Sequence, residues 1–156
     1  MRIPTLVKTG LATAAAAATG AAATNPGSGW YRSLDKPAWQ PPPAAFPAVW
    51  TPLYALIAVA GARGLDRTSG PQRARFAWAY GIDLALNAGW TVLFFRARSP
   101  RLALLEILAL NAVNPGLLRR AWRADRVAGA SLLPYAAWTG FATALNASLA
   151  ARNPAP

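Results

Sequence analysis

The sequence contains no cysteine and no histidine, and its only methionine is the first residue. Disulfides, thiolate nucleophiles, Ser-His catalytic pairs and His-based zinc or haem ligation are therefore excluded. Aspartate and glutamate together number five and are scattered along the chain, so no carboxylate cluster is available for a metal ion. We expect no metal site and no required cofactor.

Charge is also scarce. Only 13% of the residues are charged and 54% are hydrophobic, whereas soluble domains carry about a quarter charged residues. The net charge is +11, with 16 basic residues against five acidic ones. The basic residues form short clusters between apolar runs, which is typical of the loops of membrane proteins. Nucleic-acid binders more often carry a basic stripe on one folded face, so we expect no nucleic-acid partner.

Five apolar segments follow one another along the chain, at residues 3–24, 44–62, 76–95, 102–118 and 127–151. A helix that crosses the hydrocarbon core needs about 20 residues, with a range of 17–25. Continuous helices satisfy their own backbone groups there. The sequence therefore predicts an all-α membrane protein, a bundle of five transmembrane helices, with a Pro/Trp-rich loop at residues 25–43.

The first segment has two interpretations. Its basic start, its alanine-rich stretch and the following NPGSG are compatible with a cleaved signal peptide. Its mild hydrophobicity also suits a helix packed inside a bundle through small residues at four-residue spacing. Those small residues are Gly10, Ala14, Ala18 and Ala22. Composition alone leaves both interpretations open.

The distribution of basic residues predicts an orientation. Ten of the 16 fall on the N-terminal side of the predicted spans, which favours a cytoplasmic N-terminus and an outward-facing Pro/Trp-rich loop. The preference for arginine over lysine indicates a GC-rich bacterial genome, and helical spans favour the plasma membrane. The other six basic residues are Arg32, Lys36, Arg96, Arg98, Arg101 and Arg152.

Polar and aromatic residues inside the third segment share a helix face. Asp83, Asn87, Trp90 and Phe94 are spaced i, i+4, i+7 and i+11, and polar groups at membrane depth point into the bundle. They serve either as interhelical hydrogen bonds or as the polar anchor of a ligand cavity. Small residues on the same segment, at Gly81, Ala85 and Gly89, permit close approach of another helix.

Two further segments carry candidate functional residues. Trp138 in the fifth segment offers a large aromatic face to a flat ligand, although an aromatic residue at helical spacing is more often plain core. Glu106 in the fourth segment is either a structural buried acid or part of a proton relay.

Four stretches carry a resemblance to a known family. They are WYRSLDKPAWQPPPAAFPAVWTPLYAL (30–56), ALNAGWTVLFF (85–95), ALLEILAL (103–110) and LPYAAWTGFATALN (133–146). In order and in spacing they resemble the TspO/MBR family, which includes the tryptophan-rich sensory proteins, translocator proteins and peripheral benzodiazepine receptors. The resemblance implies a single membrane domain over residues 1–156, with the first segment retained as one of five transmembrane helices, often in a homodimer.

The resemblance also implies a ligand and a site. Family members bind porphyrins and haem, tetrapyrroles such as protoporphyrin IX, and mitochondrial members bind cholesterol. The last segment of this chain has Ala147 where the proposed cholesterol motif has tyrosine, so sterol binding through that motif is not expected. The small-residue stripe of the third segment is the homodimer interface that the family implies. By position, the pocket residues are Tyr31, Trp39, Trp50, Asn87, Trp90, Trp138 and Ala142, and Asp83 occupies a position that is polar in relatives.

The resemblance gives the Pro/Trp-rich loop a role. Its prolines make a rigid lid, with Trp39 held over the cavity mouth and Trp50 entering at the start of the next helix. Our own hypothesis adds that Arg32 and Lys36 meet the porphyrin propionates at the mouth.

Three functions remain open at this point. The first, which we favour, is a tetrapyrrole-binding membrane receptor, sensor or carrier and not a classical enzyme. The second is light- and oxygen-dependent porphyrin breakdown, reported for some bacterial members, with Trp50 and Trp138 as oxidisable donors. The third is a small proton-coupled transporter that uses Asp83 and Glu106.

Overall fold

The computed structural model describes residues 1–154, so residues 155–156 of the predicted domain lie outside the described residues. Within this range the protein is all-helical and has no β-strand. This confirms the all-α prediction. The helices are α1 (Ile3–Ala23), α2 (Gly29–Ser33), α3 (Ala45–Asp66), α4 (Gly70–Thr91), α5 (Pro100–Ala124) and α6 (Arg126–Arg152), and a π-helical turn (Val92–Arg96) continues α4.

Local chemistry sets the helix starts. Proline occupies a first-turn position in α1, α4 and α5, where its missing N–H leaves no hydrogen bond unmade. The Ser99 hydroxyl accepts from the Leu102 N–H at 3.2 Å, and the Asp125 carboxylate accepts from the Ala128 N–H at 2.9 Å. Asp125 alone separates α5 from α6, so these two helices turn back on each other directly.

Two of the observed helices extend well beyond the ends of their predicted segments. α3 continues through Arg63 to Asp66, and α5 continues through the arginines after residue 118. Hydropathy marks the apolar part of a helix, whereas backbone hydrogen bonding continues into the charged part. The sequence also missed α2 inside the Pro/Trp-rich loop, a five-residue helix whose N-cap hydroxyl on Ser28 accepts from the Tyr31 N–H at 3.2 Å.

Two of the long helices, α3 and α5, are apolar enough to qualify as membrane spans by length and hydropathy, with mean hydropathies of 1.5 and 1.3. The other three long helices are rich in glycine and threonine or carry asparagine and aspartate. Several of these polar residues are buried inside the bundle, among them Thr9, Asn87 and Asn146. Inward-facing polar groups thus lower the mean hydropathy of a helix although the bundle encloses them.

Contacts at the two ends show that the long helices alternate in direction. At one end the Thr5 hydroxyl of α1 donates to the Asp66 carboxylate of α3 at 2.7 Å. At the other end the Arg96 guanidinium donates to the Ala22 carbonyl at 2.9 Å. The protein is therefore an antiparallel bundle in which α1, α4 and α6 run one way and α3 and α5 run the other.

The packing face of α1 differs from the predicted one. Thr5, Thr9 and Thr13 are buried, and the Thr13 hydroxyl lies 2.7 Å from the Tyr80 hydroxyl of α4. Thr9 donates to the Ala58 carbonyl of α3 at 2.9 Å. Ala14, Ala18 and Ala22 are exposed, and the space beside Gly10 is open. The predicted small-residue stripe was wrong, because hydroxyl groups that bond to neighbouring helices take the inner face.

Large apolar side chains cover much of the outer surface. Ile3 is 78% exposed, Leu11 67%, Leu105 65% and Trp78 73%. A surface of this kind is unfavourable in water. It is suited to a hydrocarbon environment, in which the polar groups are the ones that must be enclosed.

Gly61 is required for close packing between α3 and α4. A Cβ added there would lie 2.6 Å from Cζ of Tyr80, whose hydroxyl is fixed by Thr13. Gly61→Ala should lower the free energy of unfolding by about 1–3 kcal/mol through overpacking, measured as a lower apparent Tm in detergent. Gly140→Ala is the control, because Gly140 is exposed and its Cβ meets open space. Equal Tm values for the two variants would contradict this packing.

The Asp125 carboxylate clamps the helix junction electrostatically. The Arg63 guanidinium forms two 2.9 Å hydrogen bonds to it and lowers the pKa of Asp125 from 3.8 to about 2. Because the folded-state pKa is depressed, this stabilisation is present above about pH 4 and is lost as the pH falls through about 2.

Asp125→Asn should therefore lower the apparent Tm by several degrees at neutral pH, and the difference from wild type should shrink as the pH approaches 2. Asp35→Asn is the matched control, because its ion pair with Arg152 is exposed and exposed pairs contribute little. A Tm difference that is independent of pH would refute the clamp.

Candidate functional site

A cavity of about 570 Å³ lies inside the bundle beneath the Pro/Trp-rich loop. This volume falls within the range of about 300–1,000 Å³ that is usual for small-molecule sites. Aromatic side chains make up much of its wall: Tyr31, Phe46, Trp50, Tyr54, Trp90, Phe94, Phe95 and Trp138. The polar lining residues carry only hydroxyl or amide groups: Thr24, Gln40, Thr51, Asn87, Thr91, Thr139 and Asn146.

The loop forms the roof of the cavity. Pro26, Pro43 and Pro47 line it, and proline restricts the backbone at each of these positions. The Gln40 amide donates to the Tyr31 hydroxyl at 3.1 Å, which joins α2 to the proline-rich part of the loop. The Trp30 ring packs edge-on against Phe94, with centroids 5.5 Å apart. The roof is held by aromatic contacts as well as by proline.

Trp50 and Trp138 form two parts of the wall. The Trp50 indole stacks on Tyr54 with centroids 5.1 Å apart and an interplanar angle of 26°. The centroid of the Trp138 ring lies 6.2 Å from the ring centroid of Phe46 and 5.2 Å from that of Phe141. Both indoles are partly buried against the main apolar core. Their rotamers are therefore restricted before any ligand arrives.

The polar face of α4 both links helices and lines the cavity. Tyr54 donates to the Asn87 side-chain oxygen at 3.0 Å, and the Trp90 indole donates to the Asn146 side-chain oxygen at 2.8 Å. Asn146 in turn donates to the Pro100 carbonyl at 2.7 Å. The two roles left open for this face, interhelical bonding and cavity lining, occur together at Asn87 and Trp90.

The π-helical turn brings two more aromatics to the cavity. Ala97 donates to the Val92 carbonyl at 3.0 Å, the i→i+5 bond of this turn. Phe94 and Phe95, both within it, line the cavity. Such turns recur at functional sites because they redirect side chains relative to a regular helix.

Of the sequence-predicted pocket residues, Tyr31, Trp50, Asn87, Trp90, Trp138 and Ala142 line the cavity. Trp39 does not line it. Its side chain is 49% exposed, and its ring centroid lies 5.9 Å from that of Phe141, which does not line the cavity either.

Asp83 also lies outside the cavity lining. It is fully buried one helical turn before Asn87, within the packed part of the bundle. Its carboxyl oxygens and those of Glu106 have no hydrogen-bond partner among residues 1–154. Neither acid borders the cavity, so the geometry gives no specific support for a proton-coupled transport path through it.

The two predicted cations of the loop also lie beside the cavity and not within its lining. The Lys36 ammonium sits 4.8 Å from the centroid of the Tyr31 ring and donates to the Leu34 carbonyl at 3.0 Å. Arg32 is exposed. Tyr31 lines the cavity and Lys36 does not, so Lys36 contacts a residue of the cavity wall but not the cavity itself.

Sequence reasoning missed several lining residues, among them Gln40, Phe46, Tyr54 and Asn146. For two of these residues, a feature of the sequence could have indicated the position in the cavity. Tyr54 follows Trp50 by four residues, on the same helix face, and Asn146 interrupts a long segment without charge. Gln40 and Phe46 had no such signal, because their positions depend on how the loop folds over the bundle.

The site has a definite chemical character. Within residues 1–154 its lining contains no charged side chain, and no cluster of three metal-ligating residues occurs. Broad aromatic faces with a few hydroxyl and amide groups suit a flat, mostly apolar molecule. Fold and site together define an α-helical bundle with an apolar outer surface and an internal aromatic cavity.

Comparison with known proteins identifies the family. The TspO/MBR family pattern matches residues 9–152, and the chain belongs to the TspO/MBR family. It is 34% identical over 141 residues to the tryptophan-rich sensory protein of Cereibacter sphaeroides, covering 90% of this chain and 87% of that one. It is 33% identical over 130 residues to the tryptophan-rich protein TspO of Chlorobaculum tepidum, covering 83% and 82%. It is 31% identical over 120 residues to the human translocator protein, covering 75% and 70%.

The family assignment confirms the resemblance drawn from the tryptophan- and proline-rich motifs. TspO/MBR proteins are integral to membranes and have bacterial members, so the apolar outer surface of this bundle faces lipid.

Proposed function

We propose that this protein is a membrane receptor or carrier that binds a porphyrin in the aromatic cavity. The observation that carries the proposal is the pairing of Trp50 and Trp138 as walls of a 570 Å³ cavity whose lining is otherwise apolar or neutral. A tetrapyrrole such as protoporphyrin IX has the flat, largely apolar macrocycle that such walls accept. Relatives named as sensory and translocator proteins support a binding role.

The proposal includes five membrane spans. The five long helices contain 21 to 27 residues, and 20 residues of α-helix already cover the roughly 30 Å of a hydrocarbon core. The outer faces of α1 and α4 carry exposed apolar side chains such as Leu11 and Trp78. On the basis of its basic residues, we place the N-terminus in the cytoplasm and the protein in a bacterial plasma membrane.

The cavity offers the macrocycle few but specific polar contacts. The Gln40 side-chain oxygen is buried beside it without a hydrogen-bond partner among residues 1–154, so it is an acceptor for a ligand donor. A roof fixed by proline and aromatic packing loses little conformational entropy on binding. The propionates would lie toward Lys36 and Arg32 at the loop.

Iron is not needed for this binding. The chain has no histidine or cysteine, so tyrosine is the nearest equivalent of a usual haem ligand. We therefore expect the macrocycle to be held through its plane and edges, with haem bound less specifically than the metal-free porphyrin.

We further propose a homodimer formed through α4. Gly81 and Ala85 are exposed, and the space beside Gly81 and Gly89 is open. The small-residue stripe therefore faces away from its own bundle, where it permits close approach of a second copy.

The binding proposal predicts the behaviour of tryptophan variants. Trp50→Phe and Trp138→Phe should each weaken protoporphyrin binding roughly two- to tenfold, the value of one aromatic contact of about 0.5–1.5 kcal/mol. Trp78→Phe should bind like wild type, because Trp78 is exposed outside the cavity. Affinities are measured in the dark from porphyrin absorbance in detergent. Unchanged affinity in both cavity variants would refute the site.

The propionate contacts are tested separately. Arg32→Gln combined with Lys36→Gln should weaken binding if the carboxylates lie at the loop. Unchanged affinity in this variant would remove the pairing and leave the cavity itself in place.

The dimer proposal predicts the effect of a larger side chain on α4. Gly81→Leu should shift the protein toward the monomer in detergent, as measured by cross-linking and by mass from light scattering. Gly140→Leu is the control, because Gly140 is also exposed with open space beside it. A dimer that survives Gly81→Leu as well as it survives Gly140→Leu would place the interface elsewhere.

A further inference from the structure

A second concave site lies on the outside of the bundle. It is an open groove of about 530 Å³ between α3 and α6, beside the junction of α5 and α6. Its lining residues are Leu56, Trp122, Arg126, Val127, Ala130, Ser131 and Pro134. None of them lines the aromatic cavity, so the groove is a separate site.

The length of the groove corresponds to one leaflet of a bilayer. On α6, Pro134 lies eight positions after Arg126, which is about 12 Å of helix. On α3, Leu56 lies ten residues before the end of the helix at Asp66, about 15 Å from the same end of the bundle. Half of a hydrocarbon core is also about 15 Å. The groove thus runs from the charged end of the bundle toward the bilayer centre.

One wall of the groove is fixed by close packing. A Cβ added at Gly129 would lie 2.8 Å from the Cα of Trp122, so the indole packs against bare backbone where only glycine leaves room. Trp122 nevertheless remains 44% exposed. An indole held at the end of the bundle, with part of its surface free, is the arrangement found at membrane interfaces.

The mouth of the groove carries an available cation. Arg126 has no ion-pair or side-chain hydrogen-bond partner among residues 1–154. The adjacent acid, Asp125, is already engaged by Arg63 at 2.9 Å and lies 3.7 Å from Arg67. The guanidinium of Arg126 is therefore free to bind a phosphate, for which its planar donors are well suited.

We propose that this groove binds one anionic phospholipid from the leaflet at the N-terminal end of the bundle. The phosphate pairs with Arg126, and one acyl chain follows Val127, Ala130 and Pro134 toward Leu56. The complementary charge selects an anionic headgroup, and the apolar groove selects a lipid over a soluble phosphate. The inference rests on the membrane-spanning arrangement of α3 and α6 and is independent of porphyrin binding.

The test is lipid retention measured by native mass spectrometry of the full-length protein in detergent. Phosphatidylglycerol and phosphatidylcholine with identical acyl chains are added together, and wild type should retain phosphatidylglycerol in preference. Arg126→Gln should reduce that preference roughly fivefold, the worth of one basic residue at an anionic surface. Arg123→Gln is the matched control, because Arg123 is exposed on the neighbouring helix end outside the groove. Equal effects of the two variants would show bulk electrostatics and overturn the site.

A second pair of variants tests the acyl-chain part of the groove. Ala130→Phe fills it and should abolish retention of both lipids, whereas Ala137→Phe lies exposed on the same helix outside the groove and should not. An unchanged Tm for both variants verifies the fold. Persistent lipid retention in Ala130→Phe would overturn the proposal, as would loss of a dimer in that variant, which would make the groove an interface between copies.

Discussion

The structure depends on one constraint: in a bundle whose exterior is apolar, polar side chains must find partners between the helices. Asn87, Tyr54 and Tyr135 join α4, α3 and α6, and Trp90 is tied through Asn146 to the start of α5. Because these bonds run between helices in a poorly solvated interior, breaking any of them leaves a buried polar group unpaired. Four of these side chains, Tyr54, Asn87, Trp90 and Asn146, line the cavity, so the network that holds the bundle also fixes the shape of the site.

The five acids of the chain divide between the ends of the bundle, where this constraint is met, and the interior, where two carboxyl groups do not meet it. Asp35, Asp66 and Asp125 lie at the ends of the bundle, where each contacts a basic residue or a backbone N–H. Asp83 and Glu106 lie inside without a hydrogen-bond partner among residues 1–154. The ionic contacts at the bundle ends determine which helix ends meet, whereas the interior hydrogen bonds between helices are made by neutral amide and hydroxyl groups. Within residues 1–154 the cavity lining carries no charged side chain, which suits a mostly apolar guest because no uncompensated charge lies beside it.

Much of the fold could be predicted from the sequence, since apolar segments near 20 residues long marked all five long helices. The ends of these helices could not be predicted in the same way. For example, α3 continues through charged residues, which a search for apolar segments assigns to a loop. The inner face of α1 could not be predicted either, because a stripe of small residues and a stripe of threonines both have helical spacing. The hydrogen bonds to Tyr80 and Ala58, which depend on the tertiary structure, place the threonines inside. In the site, motif resemblance located Trp50, Asn87 and Trp138, whereas Trp39 depended on the path of an irregular loop. Asp83 shares a helix face with Asn87, but the floor of the cavity lies between them.

The central claim is that a preformed aromatic cavity encloses a flat guest inside the bundle. Its most direct test is an experimental structure of the protein with protoporphyrin IX in a lipid environment. The account predicts the macrocycle in contact with the indoles of Trp50 and Trp138, with the Trp90–Asn146 and Tyr54–Asn87 hydrogen bonds unchanged from the ligand-free protein. A macrocycle on the lipid-facing surface, or a cavity that forms only after these bonds have broken, would contradict it.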